Sequence, residues 1–212
     1  MIKLIIFDFS GTLGYIGDLN LREIFGKLRE CGVKVSTEKE AEYFFDFLPP
    51  FFSKTKNWLE FSQMLAEKFN NKPAKENLKE LTRYLEKKLS FKLYDDVAHV
   101  INLPQKKAIL TSVSRFLIRN LPSLKNFDIF TPKDICYEKP DKRAFETVLR
   151  KMKAIVVEAV MVGDSLDKDL YPARALGMQA ILIDRENKIA EKSLKDPSIK
   201  KISSLKELKN LL

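Results

Sequence analysis

Residues 3–13 run KLIIFDFSGTL, and this stretch decides the fold. Residues 3–7 form a short apolar run rich in Ile and Phe, which is typical of a strand buried on both faces of a sheet. The run ends at Asp8, and Gly11 indicates a turn just beyond it. A charged carboxylate at the end of an apolar strand is costly unless it is paired or bound to a metal. We therefore predict a buried first strand that presents Asp8 to a functional site.

Further apolar runs predict the other strands of the same sheet. They are residues 107–110, 127–130, 159–162 and 180–183. Helical patterns in this half of the chain cover residues 141–151, 166–176 and 205–212. Strands that alternate with helices predict right-handed crossovers and parallel pairing. The fold class that we expect is therefore α/β, with a Rossmann-like, doubly wound parallel sheet.

The stretch between the first and second strands is far longer than a simple crossover, which needs only about a dozen residues. It has little strand character, and its periodicity predicts helices at residues 19–30, 37–47, 57–69 and 75–89. The surplus chain predicts a helical subdomain inserted after the first strand. We expect a core of residues 1–14 and 97–212 and an insert of residues 15–96.

Composition excludes several classes of chemistry. His99 is the only histidine, so a histidine metal cluster or a Ser-His-Asp relay is not expected. Cys31 and Cys136 lie far apart in a chain of ordinary domain size, which does not indicate a disulfide framework. The chemistry must use carboxylates, hydroxyls and lysines.

The net charge of +9 raises the question of a nucleic-acid partner. However, the lysines alternate with glutamates along helical patterns, as in residues 72–88, which is typical of a solvated helix face. We expect no nucleic-acid partner. No apolar run approaches the roughly 20 residues of a membrane span, so we expect a cytoplasmic protein without a membrane partner. We also expect either a monomer or a homodimer.

Three of the predicted strands end in groups that can bind or react. Asp8, Thr111 and Asp164 each directly follow an apolar run, and Lys139 lies between the last two in sequence. In an open α/β sheet, ligands bind at the carboxyl ends of the strands, near the point where the strand order reverses. Hydroxyl and carboxylate groups at the ends of three strands are hard to explain as turn caps alone. We expect these residues to meet at one site.

Four motifs in order resemble those of the haloacid dehalogenase-like superfamily. They are DFSGTL at residues 8–13, ILTS at 109–112, KPD at 139–141 and VGDS at 162–165 followed by Asp169. The resemblance covers the whole chain, because the insert falls where that superfamily has its helical cap. It implies a hydrolase that acts on a small phosphorylated molecule.

The resemblance also implies a role for each site residue. Asp8 would be the nucleophile, and Mg²⁺ would lie on the Asp8 carboxylate, the Ser10 backbone carbonyl, Asp164 and Asp169. Thr111 would donate a hydrogen bond to a phosphoryl oxygen, and Lys139 would place positive charge on that oxygen and hold Asp8 ionised. Backbone amides around Ser10, Gly11 and Ser112 would complete the phosphate site.

Ser10 departs from the usual phosphatase pattern. Phosphatases of the superfamily usually have a second aspartate there, which protonates the leaving alcohol and later activates water. A serine hydroxyl cannot replace a carboxyl group as general acid and base. Three hypotheses follow: a phosphatase that is slow or takes a good leaving group, a 2-haloacid dehalogenase or phosphonate-type hydrolase, and a regulatory phosphate-binding module without turnover. Dehalogenation needs no magnesium, so the retained acidic pair of Asp164 and Asp169 favours phosphoryl chemistry.

Residues 43–52 are densely aromatic. Aromatic side chains dominate ordinary protein cores, which favours packing within the insert. The alternative is an apolar wall over the substrate or a dimer surface.

Overall fold

A computed structural model describes residues 1–17, 20–35, 55–69 and 71–212 of the chain. Two compact units are resolved by their internal packing. The first comprises Met1–Tyr15, Leu93–Ser112 and Leu121–Leu212, and the second comprises Ile16–Lys92 and Val113–Asn120. The predicted helix at residues 37–47 and the aromatic run at 43–52 lie outside the described residues.

The first unit is built on a six-stranded sheet in which every pairing is parallel. Its strands are β1 Leu4–Phe7, β4 Lys106–Leu110, β5 Asp128–Phe130, β6 Ala159–Gly163, β7 Gln179–Ile183 and β8 Lys200–Ile202. Across the sheet their order is β5-β4-β1-β6-β7-β8. The chain therefore builds outward from β1 on one side and then on the other, which confirms the Rossmann-like α/β fold.

The helices of the first unit are mostly short. The α-helices are α4 Ala98–Ile101, α6 Pro132–Ile135, α7 Lys142–Met152 and α8 Tyr171–Ala175. A π-helical turn covers Leu166–Leu170, and 3₁₀ turns cover Asp95–Val97, Pro122–Leu124, Val156–Glu158, Glu191–Ser193 and Leu205–Asn210. One face of the sheet packs on α7, where Phe145 and Val148 are fully buried with Leu4 and Ile6 of β1. The apolar strands thus lie in a core, as their composition predicts.

Two of the predicted helices differ in detail. The helix expected over residues 166–176 begins as the π-helical turn and continues as α8, because Pro172 near the start of α8 has no N–H to donate to an earlier carbonyl. The helix expected over residues 205–212 is a 3₁₀ helix, Leu205–Asn210, capped by the Ser204 side chain. Strand β8 was not predicted, because two of its three residues are lysines at the edge of the sheet.

The second unit is helical among the residues described. Its helices are α1 Leu21–Glu30, α2 Trp58–Lys68, α3 Lys75–Lys88 and α5 Arg115–Ile118. Asn20 caps α1 and Asn57 caps α2, each by accepting a hydrogen bond from a backbone N–H in the first turn. Leu28, Phe61, Leu81 and Leu85 form its buried core. No described helix is long and apolar enough to cross a lipid bilayer.

A short two-stranded sheet forms where the chain passes from the first unit to the second and where it returns. Its strands are β2 Gly14–Ile16 and β3 Phe91–Leu93. The unit boundaries fall within these strands, between residues 15 and 16 and between residues 92 and 93. Residues 113–120 differ from the sequence-based division, since they belong to the second unit. There the Ser114 hydroxyl donates to the Thr55 carbonyl over 2.9 Å, and Phe116 makes an edge contact with Trp58.

Candidate active site

The sheet register brings three of the predicted residues to one edge. Phe7 of β1 pairs with Ile109 of β4 on one side and with Val162 of β6 on the other. Asp8 directly follows β1, Thr111 directly follows β4, and Asp164 directly follows β6. Their positions at the carboxyl ends of adjacent parallel strands are where an α/β sheet binds its ligands.

Three carboxylates form a cluster at this edge. Asp8, Asp164 and Asp169 each offer an oxygen, and these oxygens all lie within 4.8 Å of one another. Asp8 and Asp169 are buried, whereas Asp164 is exposed. Over the described ranges, no other group of three or more acidic, histidine or cysteine side chains converges in this way.

Lys139 lies between two of these carboxylates. Its ammonium donates to Asp8 Oδ1 over 2.6 Å and to Asp169 Oδ1 over 2.6 Å, and its side chain is only 5% exposed. Burial by itself lowers the pKa of Lys139, but the charges of Asp8 and Asp169 outweigh this effect and raise the pKa above its ordinary value. The lysine is therefore a permanent cation at the edge of the site.

One cation does not balance three carboxylates. Although Asp164 is exposed as a residue, the protein around its carboxyl group displaces water. This desolvation, followed by the charges of Asp8 and Asp169, raises the pKa of Asp164 to about 7. Burial and then the Asp8 charge also raise the pKa of Asp169 against the opposing effect of Lys139. Both shifts arise first from burial and then from neighbouring negative charge, which Lys139 only partly offsets.

Two glycines allow the carboxylates to approach so closely. Gly11 has φ +86°, and a Cβ there would lie 2.1 Å from Asp164 Oδ2. A Cβ on Gly163 would lie 2.5 Å from Asp169 Oδ2. Real Cβ atoms do not come this near to another heavy atom, so any side chain at either position would displace a carboxylate of the cluster. Gly163 was not among the predicted site residues, although its place at the end of an apolar strand, just before Asp164, could have suggested it.

The turn after β6 holds Asp169 in place. The Ser165 backbone N–H donates to Asp169 Oδ2 over 3.2 Å, and the Ser165 hydroxyl caps the turn by accepting from the Lys168 N–H. Single π-helical turns are frequently found at functional sites. Here the turn brings Asp169 within reach of both Asp8 and Lys139.

The donor set fits a hard divalent cation. Mg²⁺ prefers oxygen ligands, and in proteins it is usually held by one or two carboxylates and several waters. Asp8, Asp164 and Asp169 supply such oxygens, and their excess negative charge is what a cation would compensate. A cation would also favour the ionised carboxylates and so reverse the raised pKa values.

The remaining predicted residues lie around this cluster. Ser10 is exposed and Gly11 follows it in the tight turn, where the Gly11 N–H donates to the Gly14 carbonyl over 2.8 Å. Thr111 is buried, and its N–H donates to the Phe130 carbonyl. Ser112 is half-buried next to it. The structure thus joins Asp8, Lys139, Asp164 and Asp169 directly, while the parts of Ser10, Thr111 and Ser112 in binding stay predictions.

The sequence reasoning missed Arg185. This residue follows β7 at the same edge of the sheet, and its guanidinium contacts the backbone of the turn that contains Gly11. It also pairs with Asp96, whose side chain is 8% exposed. Burial by itself raises the pKa of Asp96, but hydrogen bonds from Arg185, Leu205 and Ser204 together outweigh it and lower the pKa. The one sequence signal was the position of Arg185 just beyond an apolar run that ends at Asp184.

Comparisons with known proteins identify relatives of this chain. A model of the haloacid dehalogenase-like hydrolase family matches residues 2–177. Over 87 residues the chain is 34% identical to a glyceraldehyde 3-phosphate phosphatase from Methanothermobacter thermautotrophicus, a stretch that covers 38% of this chain and 38% of that protein.

Among solved structures, a HAD phosphatase from Thermococcus onnurineus has a TM-score of 0.69 at 24% identity and covers 99% of this chain and 97% of its own. A 2-haloacid dehalogenase from Pseudomonas syringae pv. tomato has a TM-score of 0.68 at 19% identity, covering 100% and 98%. At these identities the likeness concerns the fold alone.

Proposed function

The chain belongs to the haloacid dehalogenase-like hydrolase family, and within that family we propose that it is a Mg²⁺-dependent phosphatase acting on a small phosphorylated metabolite. The observation that supports this proposal is the cluster of Asp8, Asp164 and Asp169 beside the buried ammonium of Lys139. The cluster combines a nucleophile, a cation site and a fixed positive charge, which are the parts that phosphoryl transfer needs.

In the first step a carboxylate oxygen of Asp8 attacks the phosphorus atom. An O–P bond forms on Asp8 while the bond between phosphorus and the leaving oxygen breaks, and the product is an aspartyl-phosphate. Lys139 places its charge beside the reacting oxygens, and Thr111, Ser112 and the Gly11 amide are the proposed donors to the phosphoryl group. Mg²⁺, held by Asp8, Asp164, Asp169 and the Ser10 carbonyl, would supply neutralisation of phosphoryl charge.

In the second step a water oxygen attacks the phosphorus of the aspartyl-phosphate. The bond between Asp8 and phosphorus breaks, inorganic phosphate leaves and the Asp8 carboxylate is restored. Both steps move a proton, first to the leaving oxygen and then from the water. Ser10 cannot perform either transfer as a carboxyl group would, which typically costs about 10²- to 10⁴-fold in rate. We therefore propose slow turnover of ordinary esters. Substrates whose leaving group needs no proton, such as acyl phosphates, should phosphorylate Asp8 faster, while hydrolysis of the aspartyl-phosphate stays slow.

The relative from Methanothermobacter thermautotrophicus supports a phosphorylated substrate, since it is a glyceraldehyde 3-phosphate phosphatase. The match covers 38% of each chain. Our proposal for the substrate therefore extends only to its phosphate group and does not name the rest of the molecule. We further propose that the second unit is the helical cap that selects the substrate. A cytoplasmic location and a monomeric or homodimeric state stay predictions.

A second candidate function is hydrolysis at carbon, as in a 2-haloacid dehalogenase. It is favoured by Ser10, because the residue that a phosphatase uses for proton transfer is missing, and a dehalogenase shares the fold. Against it stands the acidic cluster, because attack on a neutral carbon needs neither a cation nor three converging carboxylates.

The test of the proposed function is to trap the phosphorylated enzyme. Incubation with acetyl phosphate and Mg²⁺, followed by acid quenching and mass spectrometry, should give a mass increase of one phosphoryl group on the peptide that contains Asp8. The Asp8→Asn variant is the matched blank. Halide release from a 2-haloacid in the presence of EDTA would instead establish the carbon-centred reaction. Binding of Mg²⁺ and phosphate without any adduct or turnover would identify a module that has lost catalysis.

The role of Ser10 has a direct test of its own. Ser10→Asp should raise kcat for a phosphate ester such as p-nitrophenyl phosphate by roughly 10²-fold, because it supplies the missing acid and keeps the backbone carbonyl. Ser10→Ala is the control and should leave kcat within about twofold, because the hydroxyl has no part in proton transfer. If Ser10→Asp gains nothing, our account of the missing acid is wrong.

A further inference from the structure

Arg185 makes an unusually complete set of contacts within the first unit. Its Nη2 donates to the Thr12 carbonyl over 2.6 Å, and its Nε donates to the Gly11 carbonyl over 3.2 Å. Its Nη1 and Nη2 also bond to the two carboxylate oxygens of Asp96 at 2.8 and 3.1 Å. The guanidinium carbon lies 3.7 Å from the centre of the Tyr94 ring. Four N–H bonds and one stacked ring thus hold the guanidinium, although the Arg185 side chain remains 17% exposed.

We propose that Arg185 is a positioning residue for the turn that carries Ser10 and Gly11, and that it acts on the cation affinity of the site through that turn. This inference rests on the proposed function, since it concerns the Mg²⁺ site formed by Asp8, Asp164 and Asp169.

The turn has internal hydrogen bonds, but they leave two carbonyls to an outside partner. The N–H groups of Leu13 and Gly14 both donate to the Phe9 carbonyl over 2.9 Å, and the Gly11 N–H donates to Gly14. The carbonyls of Gly11 and Thr12 point instead to Arg185. The Thr12 hydroxyl is buried and has no hydrogen-bond partner among the described residues, so it does not fasten the turn. Arg185 therefore holds the outer side of the turn by two consecutive carbonyls.

A small movement of this turn would change the cation site. The Gly11 backbone lies so close to Asp164 that a Cβ on Gly11 would meet Asp164 Oδ2 at 2.1 Å. The proposed ligand carbonyl of Ser10 is on the adjoining peptide. If the turn shifts by a few tenths of an ångström, both the carbonyl and the space available to Asp164 shift with it. Partners that orient metal ligands in this indirect way typically change metal affinity or activity by about 10- to 100-fold when they are removed.

Arg185 is itself held firmly enough to do this. Asp96, its ion-pair partner, also accepts hydrogen bonds from the Ser204 hydroxyl over 2.8 Å and the Leu205 N–H over 2.9 Å. The planar guanidinium can stack on Tyr94 while it donates along its edges, whereas a lysine ammonium offers a single point of charge. Lysine at position 185 would keep the charge opposite Asp96 but could not reproduce both carbonyl bonds.

The chain contains a matched control for this residue. Arg174 pairs with Asp196 through Nε over 2.8 Å and donates to the Met178 carbonyl over 2.8 Å. It thus makes the same types of bond in the same unit, but not to the turn at residues 10–13. Arg185→Met and Arg185→Lys should be compared with Arg174→Met in the full-length protein.

The experiment measures Mg²⁺ binding by titration calorimetry without substrate, together with thermal unfolding of the metal-free protein. We expect both Arg185 variants to raise the Kd for Mg²⁺ about tenfold or more. Arg174→Met should lower the unfolding temperature but leave that Kd within about twofold. For turnover of acetyl phosphate, the Arg185 variants should require more Mg²⁺ for half-maximal rate.

The outcomes separate this inference from the proposed function. If the unmodified protein binds no Mg²⁺ and Asp164→Asn behaves in the same way, the proposed function fails. If the unmodified protein binds Mg²⁺ and the Arg185 variants bind it equally well, Arg185 has no positioning role. An equal loss of Mg²⁺ affinity in Arg174→Met would also overturn the inference, because the effect would then be a general consequence of a lost ion pair. Should Arg185→Met fail to fold, Arg185→Lys decides by the same criterion.

Discussion

Two charged groups at the same edge of the sheet differ in how their charges are balanced. In the Arg185–Asp96 pair one cation faces one carboxylate, both oxygens of that carboxylate accept hydrogen bonds from Arg185, and the pKa of Asp96 is held below its ordinary value despite burial. In the cluster of Asp8, Asp164 and Asp169, one lysine faces three carboxylates, and the pKa of Asp164 rises to about 7. The first arrangement stabilises the fold. The second is unfavourable by itself and is explained by what it can bind.

The difference teaches where function and stability separate in this chain. Apart from Arg185, which also contacts the turn beside the cluster, a residue in the balanced pair should matter for unfolding, and a residue in the unbalanced cluster should matter for activity. The following variants test that division in order of decreasing effect.

The largest effect is expected for Asp8→Asn. It removes the nucleophile, and kcat for a phosphate ester should fall by about 10⁴-fold or more. Because it also removes one of three mutually repelling carboxylates, the metal-free variant should unfold at the same denaturant concentration as the unmodified protein or a higher one. Steady-state kinetics and urea unfolding measure the two effects. A variant that is both active and destabilised would break the comparison.

The next largest effect is expected for Lys139→Met. Loss of the buried ammonium removes charge from the reacting oxygens, and kcat should fall by roughly 10²- to 10³-fold. Unlike Asp8→Asn, this variant leaves Asp8, Asp164 and Asp169 without any internal cation. Its metal-free form should therefore be less stable, and Mg²⁺ should restore more of its stability than in the unmodified protein. Unfolding curves with EDTA and with Mg²⁺ would measure this, and equal stabilisation of the two proteins by Mg²⁺ would argue against the cluster as the cation site.

A smaller effect, chiefly on stability, is expected for Asp96→Ala, with a weaker effect on Mg²⁺ affinity through Arg185. The change leaves Arg185 without its charged partner, and breaking a buried pair in this way typically costs about 3–5 kcal/mol of unfolding free energy. The partial exposure of Arg185 favours the lower end of that range. Denaturant unfolding measures the loss, and Glu23→Ala is the control, because its pair with Lys88 is exposed and should contribute far less to the free energy of unfolding. Equal losses in the two variants would refute the distinction.

The last prediction is a dependence on pH. The pKa of Asp164 in the folded, metal-free protein is about 7, against 3.8 for an unperturbed aspartate. A raised pKa favours the folded state at low pH, so this contribution is lost as pH rises from about 4 to about 7. Over the same pH interval the Asp164 carboxyl group loses the proton that Mg²⁺ would otherwise have to displace. The affinity for Mg²⁺ should therefore rise by up to about tenfold per pH unit. Titration calorimetry at several pH values measures this, and Asp164→Asn should weaken the trend to the part contributed by Asp169, whose pKa is also raised. Affinity that stays constant between pH 5 and 7 would contradict it.

Much of the fold followed from the sequence because its main signals are local. The apolar runs that end at Asp8 and Gly163 needed no partner to be recognised as buried strands. Residues 113–120 could not be assigned to the second unit in this way, since their place there depends on Trp58 and Thr55, which are distant in sequence. Strand β8 was hidden for a different reason: the lysines that suit a sheet edge obscure the apolar pattern.

The site was predictable to the extent that it uses strand ends. Asp8, Lys139, Asp164 and Asp169 were all named, because their motifs lie at the ends of recognisable elements. Arg185 and Asp96 were not, because a single arginine and a single aspartate in loops have no spacing that distinguishes them from surface charges. Arg185 and Asp96 come into contact only after the residues that follow β7 and those that follow β3 have packed together in the first unit.

The central position of β1 has a consequence for how the chain is made. This strand is synthesised before its neighbours, yet Leu4 must pair with Lys106 on one side and Ala159 on the other. Contacts so distant in sequence form late, whereas the helices of the second unit depend on closer neighbours and can form earlier. During translation the four apolar residues of β1 therefore stay exposed until β4 and β6 have been synthesised. They are the segment that a chaperone would most usefully shield.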